Sequence, residues 1–277
     1  MDDQLEATVA FYTRHPISAA IITAKLEAAR GSLADVAPED LWPHDQDHYG
    51  GLEANDALAR AACLAPGMRI ADFCAGLGGP ARYFAHRFAV TVTGIELTPA
   101  RVAGAAELTR LVGLQDRVSV IEGDVTRPPL EDRSMDAVVS QEALLHVPDK
   151  AAAIAQAFRV LRPGGRLAFT DWVVHSDLDA ADAAIMERGM SARSLQSPAG
   201  YRAMLEAAGF TVLSFEDLTA RWGPILADRF AMYRRLREDA LAAGTPAGDD
   251  DFYRSYDRLV ALVRHGVLGG ARFAAVR

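Results

Sequence analysis

Residues 72–79, Asp72-Phe73-Cys74-Ala75-Gly76-Leu77-Gly78-Gly79, join a short apolar segment to a segment with helical periodicity. Glycine allows the backbone to turn tightly and lets it approach a ligand with no Cβ in the way. The apolar segment, residues 69–73, has the length of a buried strand, and residues 80–88 have the spacing of a helix. A strand, a glycine turn and a helix in this order predict an α/β fold with a ligand site at the turn.

The same alternation continues on the C-terminal side of this turn. Further strands are predicted at residues 90–95, 118–122, 135–140, 166–172, 211–215 and 267–276. Helices are predicted between them at residues 99–112, 150–161, 179–188 and 198–208. Strands that alternate with helices form right-handed βαβ units. The pattern therefore predicts a Rossmann-like, doubly wound and mostly parallel sheet.

Three segments are predicted from this pattern. Residues 1–48 form an N-terminal helical cap in which Pro16 separates two helices, and residues 49–175 form the ligand-binding core. Residues 176–277 complete the sheet and carry a helical lid insertion at about residues 217–266, with helices predicted at about residues 224–243 and 251–265. The insertion is not needed to build a sheet, so we expect it to cover a ligand pocket.

The charge balance of the 277-residue chain argues against several partners. The formal net charge is −8, and Lys25 and Lys150 are the only lysines. A nucleic-acid partner or an anionic membrane surface would need a basic face. We therefore expect a small-molecule partner, no nucleic acid and no membrane, while the sequence does not indicate an oligomeric state.

Cysteine content and the N-terminus favour a cytoplasmic location. Cys63 and Cys74 are the only cysteines, which is too few for a disulfide framework, and no spacing of ligands predicts a metal site. The N-terminal residues are acidic and lack the features of a signal peptide, and the apolar segments are too short to span a bilayer.

Two cofactors compete for the glycine turn. Gly76, Gly78 and Ala81 fit the loose dinucleotide pattern G-x-G-x-x-A, which would indicate an NAD(P)-dependent oxidoreductase. Asp72, directly before the glycines, favours S-adenosylmethionine instead. A carboxylate at this place would repel a pyrophosphate, but it would attract the ammonium group of a methionine moiety.

Acidic residues also follow the next two predicted strands. Glu96 ends the second strand and can accept hydrogen bonds from both ribose hydroxyls, a feature that NAD enzymes share. Asp124 follows the third strand and, with Val125, can hold an adenine by a hydrogen bond and by packing. Open α/β sheets bind ligands at the carboxyl ends of their strands, so three acids at successive strand ends favour one cofactor site.

Five segments together resemble the successive motifs of class I S-adenosylmethionine-dependent methyltransferases. They are residues 72–79, 93–97, 122–125, 135–140 and 161–165. The resemblance covers about residues 52–172. It implies S-adenosylmethionine as the cofactor, assigns Cys74 and Leu97 to its site, and implies that the last two strands pair antiparallel.

Two shorter segments narrow the resemblance. Ser140-Gln141-Glu142-Ala143-Leu144-Leu145-His146 resembles the stretch after the fourth strand in sarcosine/dimethylglycine and phosphoethanolamine methyltransferases. Tyr49-Gly50-Gly51-Leu52-Glu53-Ala54 resembles a segment that helps close the cofactor pocket in the latter. These likenesses assign Gln141, Tyr49 and Gly51 to cofactor binding.

Glu142 and His146 are the predicted catalytic residues. A base is useful when the acceptor arrives protonated, and histidine titrates near neutral pH. If this stretch is a helical turn, Glu142 lies on the same face as His146, four residues later. The alternative is a histidine that only packs over the pocket.

The resemblance favours N-methylation of a small amine or amino acid, and O- or C-methylation of a small natural product is the alternative. The sequence departs from the phosphoethanolamine enzymes in two respects: Glu142 replaces their aspartate, and their tyrosine- and lysine-rich phosphate clamp has no clear counterpart. A binding module without catalytic activity and an oxidoreductase are the rival classes.

Two further features are open at this point. The polar run Trp42, His44, Asp45, Asp47 and His48 lines the acceptor site or forms a surface loop. Arg82, on the first helix after the turn, approaches the carboxylate of the methionine moiety or faces solvent.

Overall fold

A seven-stranded sheet forms the centre of the computed structural model, which describes residues 3–13, 17–192, 194–242 and 250–277. The strands are β1 (Arg69–Phe73), β2 (Thr91–Glu96), β3 (Val118–Glu122), β4 (Met135–Gln141), β5 (Leu161–Val174), β6 (Thr211–Asp217) and β7 (Leu268–Val276). Their order across the sheet is β3-β2-β1-β4-β5-β7-β6. Strand β7 runs antiparallel to both of its neighbours, and the pairings from β3 to β5 are parallel. The predicted fold class and the antiparallel final pair are both confirmed.

Helices precede the sheet, connect its strands and extend beyond it. They are α1 (Asp3–Thr13), α2 (Ala19–Arg30), α3 (Pro38–Asp45), α4 (Gly51–Ala61), α5 (Gly79–Phe88), α6 (Pro99–Leu111), α7 (Lys150–Val160), α8 (Ala180–Met190), α9 (Pro198–Ala207), α10 (Thr219–Ala242) and α11 (Asp250–Arg264). A single 3₁₀ turn, Leu144–His146, follows β4. No described helix is long and apolar enough to cross a membrane.

Two apolar cores cover the two faces of the sheet. Alternate residues of a strand point to opposite faces, so Phe73 of β1 packs with residues of α7 and α9, while its neighbour on the strand, Asp72, does not share that core. Ile70 packs on the other face with residues of α4 and α5. Helices on both faces leave the carboxyl edge of the parallel strands as the place for a ligand.

Two elements begin earlier than the sequence predicts. Strand β5 starts at Leu161, whereas the sequence predicts a strand from residue 166 and a turn over residues 162–165. The two glycines of that turn lie in an irregular part of the strand. The pairing of β4 with β5 shifts between Met135 and Ala137, and Gly164 has φ of +79°. Helix α10 starts at Thr219, whose N–H is capped by Asp217, and it includes Pro224, the predicted start.

The N-terminal cap packs on the helix that follows β2. Ile22 and Leu26 of α2 form a buried cluster with Leu108 of α6. Pro16, the predicted helix break, lies outside the described residues, although α1 ends at Thr13 and α2 begins at Ala19. The segment boundaries at residues 48 and 175 stay predictions.

Candidate active site

A cavity opens at the carboxyl ends of β1, β2 and β4 and contains about 1100 Å³ of empty space, including its mouth. Pockets for small molecules typically have volumes of about 300–1,000 Å³. The predicted site residues that line it are Asp72, Cys74, Gly76, Glu96, Leu97, Asp124, Val125, Gln141, Glu142 and His146. Residues predicted from four separate stretches of sequence therefore meet in one place.

The glycine turn forms the floor of this cavity. Gly76 has φ of +57°, which favours glycine, and its N–H donates to a carboxylate oxygen of Glu96 over 2.9 Å. Gly79, at the start of α5, has no room for a side chain, because a Cβ would lie 2.0 Å from the carbonyl oxygen of Asp45. The turn is thus fixed both by Glu96 and by the end of α3.

Glu96 is held in place by the backbone around it. One carboxylate oxygen accepts from Gly76, and the other accepts from the N–H of Thr98 over 2.8 Å. Each carboxylate oxygen has two lone pairs, so both can accept a further hydrogen bond from a ribose hydroxyl. The structure therefore leaves Glu96 able to play its predicted part.

Asp72 has a buried carboxylate with an unused oxygen. Its side chain is 4% exposed, and its Oδ2 has no hydrogen-bond partner among the described residues. Burial, and then the neighbouring charge of Glu96, raises the pKa of Asp72 from 3.8 to about 8. A buried carboxyl in this state fits the ammonium group of a methionine moiety, which would supply both a hydrogen-bond donor and a compensating charge.

The adenine end of the predicted site lies after β3. The carboxylate of Asp124 accepts from the N–H of Thr126 over 2.8 Å, and Arg127 lies 3.7 Å from its other oxygen. Val125, next to it, is buried and lines the cavity. This pair gives the polar and the apolar surface that the sequence predicts for an adenine.

Gln141, the last residue of β4, presents an unsatisfied amide to the cavity. Neither its nitrogen nor its oxygen has a hydrogen-bond partner among the described residues. Buried amides in folded proteins are normally hydrogen-bonded, so these atoms point to a bound ligand. Its predicted role in cofactor binding is consistent with this position.

Glu142 lies outside the 3₁₀ turn that carries His146. It has a left-handed backbone, with φ of +52°, and its carboxylate accepts from the N–H of Tyr49 over 2.8 Å. The helical relation between Glu142 and His146 that the sequence suggested is therefore absent, although both residues line the cavity. Burial raises the pKa of Glu142 well above its usual value, and the donated N–H of Tyr49 and the charge of Arg229 oppose that shift.

His146 faces a tyrosine that the sequence gave no reason to choose. The hydroxyl of Tyr12 in α1 lies 2.8 Å from Nε2 of His146, and the two rings meet edge to face. The guanidinium of Arg101 lies over the ring of Tyr12 at 4.5 Å, and it also lies 3.6 Å from Asp47. In the sequence, Tyr12 has only the spacing of an apolar helix face, so no signal marked it as a site residue.

Three predicted cofactor residues do not line the cavity. Tyr49 packs its ring on Trp222 and Trp172, Gly51 begins α4, and Gly78 faces α5 and α6. Tyr49 still reaches the site through its backbone N–H, which binds Glu142. Cofactor contacts of these three residues stay predictions.

The helical insertion contributes none of the described lining residues. Helix α1 supplies Thr8 and Tyr12 to the cavity instead. Helix α10 reaches the site only indirectly, because Arg229 lies over the ring of Tyr49 at 4.5 Å. The expectation that the insertion covers the pocket is therefore not supported by the lining, and α1 occupies that position.

The two open features are now placed. Asp45, Asp47 and His48 line the cavity, whereas Trp42 packs on Tyr83 and His86. Arg82 adopts neither expected position. It is 1% exposed and makes a buried ion pair of 2.9 Å with Asp45, which ties α5 to α3 beside the cavity.

Comparison with known proteins shows the family of this chain. The family described as "Methyltransferase domain" matches residues 71–169. Methyltransferase GfsG of Streptomyces halstedii is 31% identical over 237 residues, which are 82% of this chain and 85% of the relative. The chain belongs to the class I S-adenosylmethionine-dependent methyltransferases.

Other relatives of this methyltransferase have different acceptors. The 27-O-demethylrifamycin SV methyltransferase of Amycolatopsis mediterranei is 35% identical over 189 residues, covering 67% of this chain and 70% of that protein. Phosphoethanolamine and sarcosine/dimethylglycine methyltransferases are also among the relatives, as the motifs predicted. The methyltransferase spans only 33–40% of the length of several of these N-methyltransferases.

Solved structures share the fold. Phosphoethanolamine N-methyltransferase 2 of Haemonchus contortus, in complex with phosphomonomethylethanolamine and S-adenosylhomocysteine, superposes with a TM-score of 0.73 at 24% identity, covering 83% of this chain and 53% of that one. The methyltransferase uses S-adenosylmethionine, and the dinucleotide alternative is set aside.

Proposed function

We propose that this methyltransferase methylates the nitrogen of a small amine or amino acid, with His146 as the base. The contact of 2.8 Å between the Tyr12 hydroxyl and Nε2 of His146, inside the cavity that contains Asp72 and Glu96, carries the proposal. It places a basic nitrogen and its hydrogen-bond partner in the same cavity as the predicted cofactor residues.

The chemistry needs alignment and one proton transfer. S-adenosylmethionine supplies a methyl group on a positively charged sulfur, which leaves as a neutral thioether. Asp72, Glu96 and Asp124 would hold the ammonium, ribose and adenine parts of the cofactor. An amine that arrives protonated has no lone pair for the methyl group, so a base must remove its proton first.

Tyr12 and His146 are arranged for that step. Burial raises the pKa of Tyr12 well above its usual value, so its hydroxyl stays protonated and donates a hydrogen bond to Nε2. An acceptor that replaces the Tyr12 hydroxyl at Nε2 would give its own proton to the same lone pair. The Tyr12 hydroxyl would then orient the acceptor from α1.

Charge in the cavity favours a cationic or neutral acceptor. Among the described lining residues, six carboxyl side chains face one arginine and no lysine. The carboxyls belong to Asp45, Asp47, Asp72, Glu96, Asp124 and Glu142, and the arginine is Arg101. Asp45 and Asp47 already have arginine partners, whereas Glu142 lies in the same stretch of sequence as His146. A phosphorylated acceptor would have to compete with Asp47 for Arg101, which lies 3.6 Å from that carboxylate.

O-methylation of a natural product is the second candidate. The likeness to 27-O-demethylrifamycin SV methyltransferase favours it, because that protein has a name that specifies an oxygen acceptor. His146 would serve equally well as the base for a hydroxyl group.

An acceptor panel tests the two candidates. The methyltransferase is incubated with S-adenosylmethionine and with sarcosine, dimethylglycine, ethanolamine, phosphoethanolamine or the hydroxylated compound 27-O-demethylrifamycin SV. Products are followed by mass spectrometry and by S-adenosylhomocysteine release. We expect multiple turnovers with an unphosphorylated amine. Turnover with the hydroxylated compound alone would establish the second candidate and overturn the first, and preference for phosphoethanolamine would contradict the charge argument.

A further inference from the structure

His146 is held on its second nitrogen by the end of a helix. Its Nδ1 lies 3.3 Å from the carbonyl oxygen of Ser191. Because Tyr12 donates to Nε2, the ring proton belongs on Nδ1, from which it is donated to Ser191. A carbonyl oxygen can only accept, so this contact selects the tautomer in which Nε2 carries the lone pair that faces Tyr12.

Ser191 lies at the C-terminus of α8. It has a left-handed backbone, with φ of +52°, and its own N–H caps the carbonyl of Met186. Carbonyl groups at the end of a helix carry partial negative charge, which stabilises a protonated histidine. The contact with the end of α8 therefore fixes the orientation of the His146 ring.

The segment that follows Ser191 is fastened to the catalytic turn by a buried lysine. Lys150, the first residue of α7, is 3% exposed. Its Nζ donates to the carbonyl of Val147 over 2.9 Å and to the hydroxyl of Ser194 over 2.7 Å. One ammonium group therefore joins the end of the 144–147 turn to the segment that carries the Ser191 carbonyl.

We propose that Lys150 and Ser194 are positioning residues for methyl transfer. They hold Ser194 against the turn so that the carbonyl of Ser191, three residues earlier, stays on Nδ1 of His146. The inference rests on the proposed role of His146 as the base. It adds a set of residues, from α7 and from the segment after α8, that lie outside the cavity lining and act through His146.

Several charged or titratable groups lie around the turn. They are Tyr12 from α1, Cys74 from the glycine turn, Arg101 from α6, Glu142 before the turn, Lys150 from α7, and Asp171 from β5, which accepts from the hydroxyl of Tyr201. Removing the Lys150 charge would itself favour protonation of His146. Substitution of Ser194 leaves every one of these charges unchanged, so it tests positioning alone.

The kinetic test compares Ser194→Ala, Ser194→Thr and Lys150→Met with Lys25→Met, which removes the only other lysine from the exposed face of α2. We expect Ser194→Ala to lower kcat roughly tenfold, the size of one lost hydrogen bond. The low-pH limb of its kcat profile should move to lower pH by roughly half to one unit, because His146 loses the carbonyl that stabilises its protonated form. Ser194→Thr keeps the hydroxyl, so it should have the kcat and the low-pH limb of the wild type. Lys150→Met should also lower kcat. The affinity for S-adenosylhomocysteine should stay within about twofold of the wild-type value in all variants.

A second measurement does not depend on activity. In ¹⁵N-histidine NMR spectra of the neutral form, assigned with His146→Gln, we expect His146 in the Nδ1–H tautomer in the wild type and a mixture of tautomers in Ser194→Ala. An Nε2–H tautomer in the wild type would overturn the inference. The inference would also be overturned if Ser194→Ala had the same kcat, the same pH profile and the same His146 tautomer as the wild type.

The two proposals fail in different ways. If His146→Gln keeps wild-type turnover, the base assignment is wrong. If His146→Gln is inactive and Ser194→Ala behaves as the wild type, only the positioning role is wrong.

Discussion

The two ends of the cavity are built differently. At the cofactor end, Asp72, Glu96 and Asp124 each lie at or just after the end of a parallel strand, and Glu96 and Asp124 are held by backbone N–H groups within 20 residues of them. At the acceptor end, Tyr12 meets His146 across 134 residues of sequence. The first end follows from local sequence, and the second depends on how separate helices pack.

This difference predicts different consequences of substitution. Substitutions at the cofactor end should weaken binding of S-adenosylmethionine, because they remove groups that the backbone already holds in place for the cofactor. Changes at the acceptor end should alter turnover with little effect on cofactor affinity. The predictions below test this division, beginning with the largest effect.

His146→Gln should lower kcat by roughly 10²–10⁴-fold, the range for loss of a general base. Cofactor affinity should change less than about twofold, because His146 lies at the acceptor end. Steady-state kinetics and calorimetry with S-adenosylhomocysteine measure the two quantities. A folded variant that turns over within about threefold of the wild type would refute the base assignment.

Asp72→Asn should weaken cofactor binding by roughly 10–100-fold, because it removes the carboxylate that is expected to bind the ammonium group. It should also make the ligand-free protein more stable at neutral pH. Between pH 3.8 and about 8 the folded chain keeps a proton on Asp72 that the unfolded chain releases, so this residue lowers the free energy of unfolding as the pH rises. We expect a Tm higher by a few degrees.

The matched control for that variant is Asp116→Asn, on an exposed turn. It should change neither cofactor affinity nor Tm. An Asp72→Asn variant that binds S-adenosylhomocysteine normally would show that the ammonium group binds elsewhere.

Glu96→Ala should weaken S-adenosylmethionine binding by roughly 1.5–3 kcal/mol, the range for hydrogen bonds to a charged group. It should also lower Tm, since it leaves the N–H groups of Gly76 and Thr98 without their partner. The control is Glu122→Ala, which makes the same substitution at the exposed end of the neighbouring strand β3. It should change neither the affinity for S-adenosylmethionine nor Tm. If calorimetry finds the wild-type affinity in Glu96→Ala, the assignment of Glu96 to the ribose hydroxyls is wrong.

The smallest effect concerns helix α1, which contributes residues to the cavity. Thr8 and Tyr12 line the cavity, so cofactor and acceptor together should slow hydrogen exchange in α1 more than in α10 and α11. Mass spectrometry of exchanged peptides measures this. Greater protection of α10 and α11 than of α1 would restore the helical insertion as the cover.

The sequence could predict which strand-end residues share one cavity, because strand ends and glycine turns have local signatures. Asp72 and Glu96 were identified from their places at the ends of apolar strands, and both line the cavity. Tyr12 was missed, because a tyrosine on an apolar helix face has no local mark of its contact with His146. Arg82 was misplaced for the same reason: its partner, Asp45, is 37 residues away.

Backbone conformation explains another difference. The spacing of Glu142 and His146 suggested one helical turn, but the left-handed backbone at Glu142 turns its carboxylate to the N–H of Tyr49. Spacing alone cannot reveal such a change of direction.

The central claim is that Asp72 binds the ammonium group of the cofactor, since this sets the direction in which the methyl group faces the acceptor end. The most direct test is the affinity for S-adenosylhomocysteine as a function of pH. Below about pH 8, Asp72 must lose its proton to bind the ammonium group, so affinity should rise by close to tenfold per pH unit from pH 6. Above about pH 8, the α-amino group itself loses its proton and affinity should fall. The rising limb should be absent in Asp72→Asn, and a wild-type affinity that does not change between pH 6 and 8 would contradict the account.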